Sequence, residues 1–121
     1  MIRGIKFAGI PVANQDAALE FYTEKLGMKV QTDQPFTEKQ RWIELMIPGA
    51  ETGLALFTPE GHEERIGTFQ SLSFWCEDVF QTAKVMKAKG VEFSKDPVKE
   101  HWGSVAIFKD PDGNQFVLSS K

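Results

Sequence analysis

The order of apolar and polar residues predicts two copies of one arrangement of secondary structure. In the first half, alternation and helical spacing predict a strand, a helix and three strands, near residues 5–12, 14–26, 28–32, 41–47 and 53–58. The second half repeats this order near residues 69–76, 78–89, 91–94, 105–108 and 115–118. Polar loops are expected around residues 33–39 and at Asp96-Pro97.

Residues with strong local preferences mark the ends of both predicted helices. Asn14 and Asp78 are placed to cap the helix N-termini, and Gln81 follows Asp78 at capping-box spacing. Gly27 and Gly90 are placed to end the helices, since glycine tolerates the left-handed backbone found there. The last two strands flank Asp110-Pro111-Asp112-Gly113, the composition of a tight turn that the two carboxylates stabilise.

The two halves align with nearly constant spacing, so the repeat involves more than element order. The spacing is 62 to 64 residues for these pairs: Phe7 and Ser71, Val12 and Cys76, Asn14 and Asp78, Gly27 and Gly90, Ala55 and Val117. We therefore predict an α+β fold in which two βαβββ modules form a cupped mixed sheet with the helices on its outer face. One domain would span residues 1–121, with modules near 1–59 and 68–121.

Strand alternation separates a core face from a second, mixed face. The core face is apolar and should pack under the helices; it comprises Ile10, Val12, Ile43, Leu45, Ile47, Leu54, Leu56, Leu72, Phe74, Cys76, Phe116 and Leu118. In the seventh strand the pattern leaves the choice open, since Val105 and Ile107 compete with Ala106 and Phe108 for the core.

The opposite face combines aromatic rings, small residues and few polar groups, which is typical of a ligand pocket. From it we predict ligand contacts by Phe7, Trp42, Glu44, Ala55, Phe57, Ser71, Ser73, Trp75 and Val117. Trp102 joins this set only by analogy with Trp42. The same face would alternatively be the solvent side of a sheet or a dimer surface.

Composition narrows the class of protein. The chain has 121 residues, a formal net charge of −3 and one cysteine, Cys76, so it has no internal disulfide and no general attraction to nucleic acid or anionic membranes. No apolar run approaches the roughly 20 residues of a membrane-spanning helix. These features predict a soluble cytoplasmic protein that binds neither nucleic acid nor membrane.

Three segments resemble the vicinal oxygen chelate superfamily, which includes glyoxalase I, extradiol dioxygenases and bleomycin-resistance proteins. They are the run from Phe7 to Gly27, with Phe21-Tyr22 and Leu26-Gly27 at the helix end, the passage Phe74-Trp-Cys-Glu-Asp-Val79, and Phe108-Lys-Asp-Pro-Asp-Gly-Asn114. The resemblance covers nearly the whole chain. It implies paired βαβββ modules, a cupped sheet and a homodimer.

The resemblance also assigns metal ligands, and this chain departs from the pattern. Superfamily enzymes hold a divalent metal with His, Glu or Gln at positions that correspond here to Phe7, Ala55, Ser71 and Val117. None of these is a suitable ligand for such a site, because divalent metals need several imidazole or carboxylate donors. We therefore expect no metal and no cofactor, as in the metal-free, drug-binding branch.

Three functions remain open. The first is metal-independent binding of a small aromatic or cationic molecule. The second is a glyoxalase- or dioxygenase-like lyase, isomerase or oxygenase whose ligands have moved to residues such as Glu44, His62 or His101. The third is a protein-interaction module that uses the aromatic face. No catalytic residue is identified; Glu44, the only carboxylate predicted on this face, is a candidate general base or cation partner.

Overall fold

The computed structural model describes residues 1–58 and 60–121, in which the chain divides into two compact units. Unit 1 is Met1–Ile66 and unit 2 is Gly67–Lys121. Each unit contains a four-stranded mixed sheet and one α-helix, in the order strand, helix and three strands. The predicted α+β fold class is therefore confirmed.

Unit 1 contains a four-stranded sheet whose strands lie in the order β1-β4-β3-β2 from one edge to the other. Its elements are β1 (Phe7–Ile10), α1 (Gln15–Glu20), β2 (Lys29–Pro35), β3 (Arg41–Met46) and β4 (Gly53–Leu56). The chain continues from α1 through a π-helical turn, Phe21–Lys25, and a 3-10 turn follows β4 at Glu63–Arg65. β1 is parallel to β4, and the other neighbouring strands are antiparallel.

Unit 2 repeats this topology, with strand order β5-β8-β7-β6. Its elements are β5 (Phe69–Cys76), α2 (Val79–Ala88), β6 (Glu92–Glu100), β7 (Gly103–Lys109) and β8 (Gln115–Ser120). β5 is parallel to β8, as β1 is to β4. None of the helices in the described part of the chain is long and apolar enough to cross a membrane.

Both helices begin at the predicted caps. The Asn14 side chain accepts a hydrogen bond from the Ala17 backbone N–H at 3.0 Å, and Asp78 accepts one from Gln81 at 3.0 Å. Each bond satisfies a backbone donor that has no partner within the helix. Gly27 and Gly90 follow the helical segments with φ of 74° and 91°, a backbone region that favours glycine.

Each unit has an apolar core on the predicted face of its sheet. Eight of the predicted core positions are buried, and they are Ile10, Val12, Ile43, Leu45, Leu54, Leu56, Phe116 and Leu118. Ile47, Leu72, Phe74 and Cys76 are half-buried. The structure also decides the face of β7, because Ala106 and Phe108 are buried while Val105 and Ile107 are only partly covered.

Two predicted loops are wrong in extent. The sequence predicts a loop around Asp96-Pro97, yet β6 runs through it, with an irregular register between Lys95 and Val98. Proline lacks a backbone N–H, and an irregularity of this kind accommodates it on an edge strand. The loop expected from Asp33 begins later, because β2 extends to Pro35.

The β7–β8 turn is held by Asp110, one of the two aspartates that the sequence predicts to stabilise it. The Asp110 carboxylate accepts hydrogen bonds from the backbone N–H groups of Asp112 and Asn114, both at 3.0 Å. The Asn114 side chain in turn accepts from the Gly67 N–H at 2.8 Å and from the Gln70 amide at 3.0 Å. This buried polar network ties the start of unit 2 to its final hairpin.

Candidate functional site

An aromatic cluster covers the mixed face of the unit 1 sheet. Its rings are those of Phe7, Phe36, Trp42 and Phe57, and Trp42 is central, with ring centroids 5.5 Å from Phe7, 5.1 Å from Phe57 and 5.3 Å from Phe36. The edge-on and tilted angles are favourable for aromatic pairs. Three of these four rings, Phe7, Trp42 and Phe57, belong to the predicted site.

Small residues in the sheet make room for this cluster. Gly9, Ala55 and Glu44 form one row across β1, β4 and β3. A Cβ atom on Gly9 would lie only 3.2 Å from the Phe57 ring, so glycine leaves the space which that ring occupies. Ala55 lies in this row and is fully buried, and its predicted contact with a ligand stays a prediction.

Glu44 is the carboxylate of this face, and it is bonded to the central ring. The Trp42 indole Nε1–H donates to Glu44 Oε1 at 2.8 Å, which is possible because residues two apart in a strand share a face. Both side chains are half-buried. The arrangement therefore holds a carboxylate in a defined position beside aromatic rings.

Phe36 is the member of the cluster that sequence reasoning missed. It lies in the segment predicted as a polar loop, and 59% of its surface is exposed. In the pairing of β2 with β3, Gln34 lies opposite Trp42 and Pro35 lies opposite Arg41. This register brings Phe36, the residue after Pro35, close to the Trp42 indole. Only the register between β2 and β3 could have identified Phe36 as part of the cluster.

The predicted site residues of unit 2 lie on the corresponding face of its own sheet. Ser73 pairs with Val117 as Gly9 pairs with Ala55, so β5 and β8 pair in the same register as β1 and β4. The Ser73 hydroxyl lies 3.1 Å from that of Ser119. Ser71 and Ser73 are exposed, and Val117 is half-buried.

The two remaining tryptophans are more exposed than Trp42. Trp75 is 55% exposed, and the Lys121 ammonium lies 4.5 Å from the centroid of its ring, a cation–π contact. Trp102 lies in the turn between β6 and β7 and is 57% exposed. The registers of β3 and β7 place Val105, not Trp102, as the counterpart of Trp42.

The residues predicted as alternative metal ligands belong to different units, Glu44 and His62 to unit 1 and His101 to unit 2. His62 precedes the 3-10 turn and His101 follows β6, and both are exposed. Within residues 1–58 and 60–121, no three or more His, Cys, Asp or Glu side chains are grouped so as to hold a metal ion.

Unit 1 also contains a polar groove of about 750 Å³ that the sequence did not indicate. It is lined by Val12, Ala13, Asn14, Gln15, Asp16, Thr37, Glu38, Lys39, Gln40, Arg41, Thr58, Glu60 and Glu63. Its central side chains bond to the protein itself. The Gln15 amide donates to the carbonyls of Arg41 and Leu56, both at 2.8 Å, and accepts from the Arg41 N–H at 2.9 Å.

Ion pairs and backbone donors fix the charges of the groove. Hydrogen bonds to Asp33 and Asp16, both at 2.9 Å, raise the pKa of Arg41. Backbone N–H groups of Glu63 itself and of Gly61 lower the pKa of the Glu63 carboxyl. Arg41 and Glu63 are thus paired within unit 1, whereas the cluster around Trp42 keeps exposed aromatic surface at Phe36, so the aromatic cluster with Glu44 is the better candidate for a binding site.

Comparison with known proteins gives a consistent family. The model of the Glyoxalase/Bleomycin resistance protein/Dioxygenase superfamily matches residues 4–118. The uncharacterized protein YetH of Bacillus subtilis is 37% identical over 118 residues, 98% of each chain. The crystal structure of TnmS3, an antibiotic binding protein from Streptomyces sp. CB03234, is similar with a TM-score of 0.87 and 30% identity, over 98% of this chain and 96% of that one.

An enzyme also lies among the relatives. A probable chloroplastic lactoylglutathione lyase of Arabidopsis thaliana is 32% identical over 114 residues, which are 88% of this chain. The match spans only 33% of the length of that lyase.

Proposed function

We propose that this chain, which belongs to the Glyoxalase/Bleomycin resistance protein/Dioxygenase superfamily, binds a small aromatic or cationic molecule without a metal ion. The observation that carries the proposal is the aromatic cluster around Trp42, with the Glu44 carboxylate bonded to it. Rings that remain partly exposed offer stacking surface to a planar ligand, and the carboxylate offers a polar anchor.

The chemistry of the four positions that the family resemblance assigns to metal ligands supports metal-independent binding. Phe7, Ala55 and Val117 have hydrocarbon side chains, and Ser71 has one neutral hydroxyl. A catalytic divalent metal needs imidazole, carboxylate or comparable donors, so these side chains do not fit it. The antibiotic-binding relative TnmS3 supports the binding class.

The test uses the three tryptophans one at a time. Each variant keeps Trp42, Trp75 or Trp102 and has phenylalanine at the other two positions, and tryptophan fluorescence is followed as acridone or 9-aminoacridine is added. We expect saturable quenching when Trp42 is kept, unchanged by prior treatment with a chelator. The Trp102-only variant is the matched control and should show no saturable change.

Two results would contradict the proposal. If neither probe produces saturable quenching in the unmodified protein, no aromatic site of this kind exists. If chelation abolishes binding and added metal restores it, the site depends on a metal.

A second candidate is a lyase of the glyoxalase type, favoured by the Arabidopsis relative. It requires ligands outside the four assigned positions, with Glu44, His62 and His101 as candidates. Metal analysis of the purified protein, followed by a lactoylglutathione lyase assay with and without chelator, tests it. About one equivalent of metal per chain with chelator-sensitive turnover would replace the binding proposal.

A further inference from the structure

Glu44 is a negative charge in a partly apolar setting. It is half-buried beside the aromatic cluster, and in the described part of the chain it forms no ion pair with a lysine, arginine or histidine. The interaction of a carboxylate with a cation is stronger beside apolar rings than in open water, because the local dielectric is lower. A cation brought by a ligand would therefore gain from this position.

The bond between Trp42 and Glu44 determines what a ligand must supply. The indole N–H already donates to Glu44 Oε1, and this nitrogen is the only hydrogen-bond donor among the side chains of Trp42, Phe7 and Phe57. An ionised carboxylate accepts hydrogen bonds but donates none. The ligand must therefore bring donors to this position, and an anionic group would meet repulsion there.

The aromatic rings favour the same sign of charge. The face of an aromatic ring carries negative electrostatic potential, so a cation placed over it is attracted, most strongly over tryptophan. Trp42 lies against Phe7 and Phe57 with centroids 5.5 and 5.1 Å away, which concentrates three such rings near one carboxylate. Ring potential and carboxylate charge thus act in the same direction.

We infer that the Glu44 carboxylate, held by the indole of Trp42, makes the aromatic cluster selective for ligands with an ammonium or amidinium-type positive charge. The inference rests on the proposed function and names its ligand class. Glu44 is the residue that determines charge specificity. Trp42 has two roles, since its ring contacts the ligand and its N–H positions the carboxylate.

The test compares three tricyclic probes of similar size and different charge by calorimetry. They are the cation 9-aminoacridine, neutral acridone and the anion anthracene-9-carboxylate. We expect the unmodified protein to bind the cation about tenfold more tightly than acridone, with the anion weakest, a difference typical of one partly desolvated charge contact. Added salt should weaken binding of the cation and leave acridone unaffected.

Two substitutions separate charge from packing. E44Q should weaken binding of the cation about tenfold and leave acridone nearly unchanged. W42F keeps a ring but removes the N–H, and should reduce the preference for the cation over acridone without abolishing acridone binding. E24Q, at an exposed carboxylate on the π-helical turn, is the matched control and should change nothing.

The outcomes distinguish this inference from the proposed function. If acridone and 9-aminoacridine bind equally well, or E44Q lowers both equally, charge selectivity is wrong while aromatic binding stands. If none of the probes binds, both ideas fail. Should E44Q not fold, the order of the three probes and its salt dependence in the unmodified protein still decide the matter.

Discussion

Replacing Asn114 by alanine should destabilise the protein strongly, because its side chain makes three hydrogen bonds in the core of unit 2. Asn114 is fully buried in unit 2. Its Oδ1 accepts from the Gly67 N–H at 2.8 Å and from Gln70 Nε2 at 3.0 Å, and its Nδ2 donates to Asp110 Oδ2 at 2.9 Å. The substitution removes all three bonds.

The expected loss follows from counting these bonds. A buried neutral hydrogen bond contributes about 1 kcal/mol and one to a carboxylate about 2 kcal/mol, so N114A should lower the free energy of unfolding by about 4 kcal/mol. Urea denaturation followed by circular dichroism measures this. N14A is the control, because it removes one exposed helix-capping bond and should cost about 1 kcal/mol.

Replacing Asn114 by aspartate tests the direction in which the stability of this network depends on pH. This change keeps an acceptor for Gly67 and Gln70 but puts an oxygen where Nδ2 faces Asp110 Oδ2, 2.9 Å away. Two carboxylates at that distance cannot both be ionised, so N114D should be less destabilised in acidic buffer than at neutral pH. A loss for N114A no larger than that for N14A would refute the reasoning, as would an N114D stability that does not depend on pH.

Two further predictions concern glycines in the unit 1 sheet. G9V should displace the Phe57 ring, since a Cβ atom alone would lie 3.2 Å from it. The displaced ring should weaken binding of 9-aminoacridine in the calorimetric assay. Unchanged affinity would mean that Phe57 is not part of the binding site. G53A should cost on the order of 2 kcal/mol in urea denaturation, because its Cβ would lie 2.6 Å from the Leu45 carbonyl oxygen, whereas G4A, with open space around the added atom, should be neutral. Equal stability of G53A and G4A would mean that Gly53 does not lie this close to the Leu45 carbonyl.

Much of the fold could be predicted because it depends on interactions between near neighbours. Asn14 and Asp78 cap helices by bonding to backbone groups three residues away, and Asp110 holds a turn by bonding two and four residues ahead. Such bonds form whenever the local sequence permits them. The core faces followed in the same way from alternation, since a half-buried strand must direct its apolar side chains to one side.

Residues with ambiguous local patterns needed the structure. Alternation in β7 left two choices, and the pairing of β7 with β8 decided between them, because Ala106 lies opposite Leu118 and Phe108 opposite Phe116. Those partners already face the core. The continuation of β6 through Pro97 also depends on pairing with β7, which overrides the local tendency of Asp96-Pro97 to form a loop.

The sequence by itself therefore determined the order of elements, the repeat and an aromatic face that carries Trp42 and Glu44. The tertiary structure alone decided which side chains touch. It brought Phe36 from an expected loop to the indole, buried Ala55 and left Trp102 in a turn. The physical reason is that register and loop path are set by contacts between residues far apart in sequence, which no local pattern encodes.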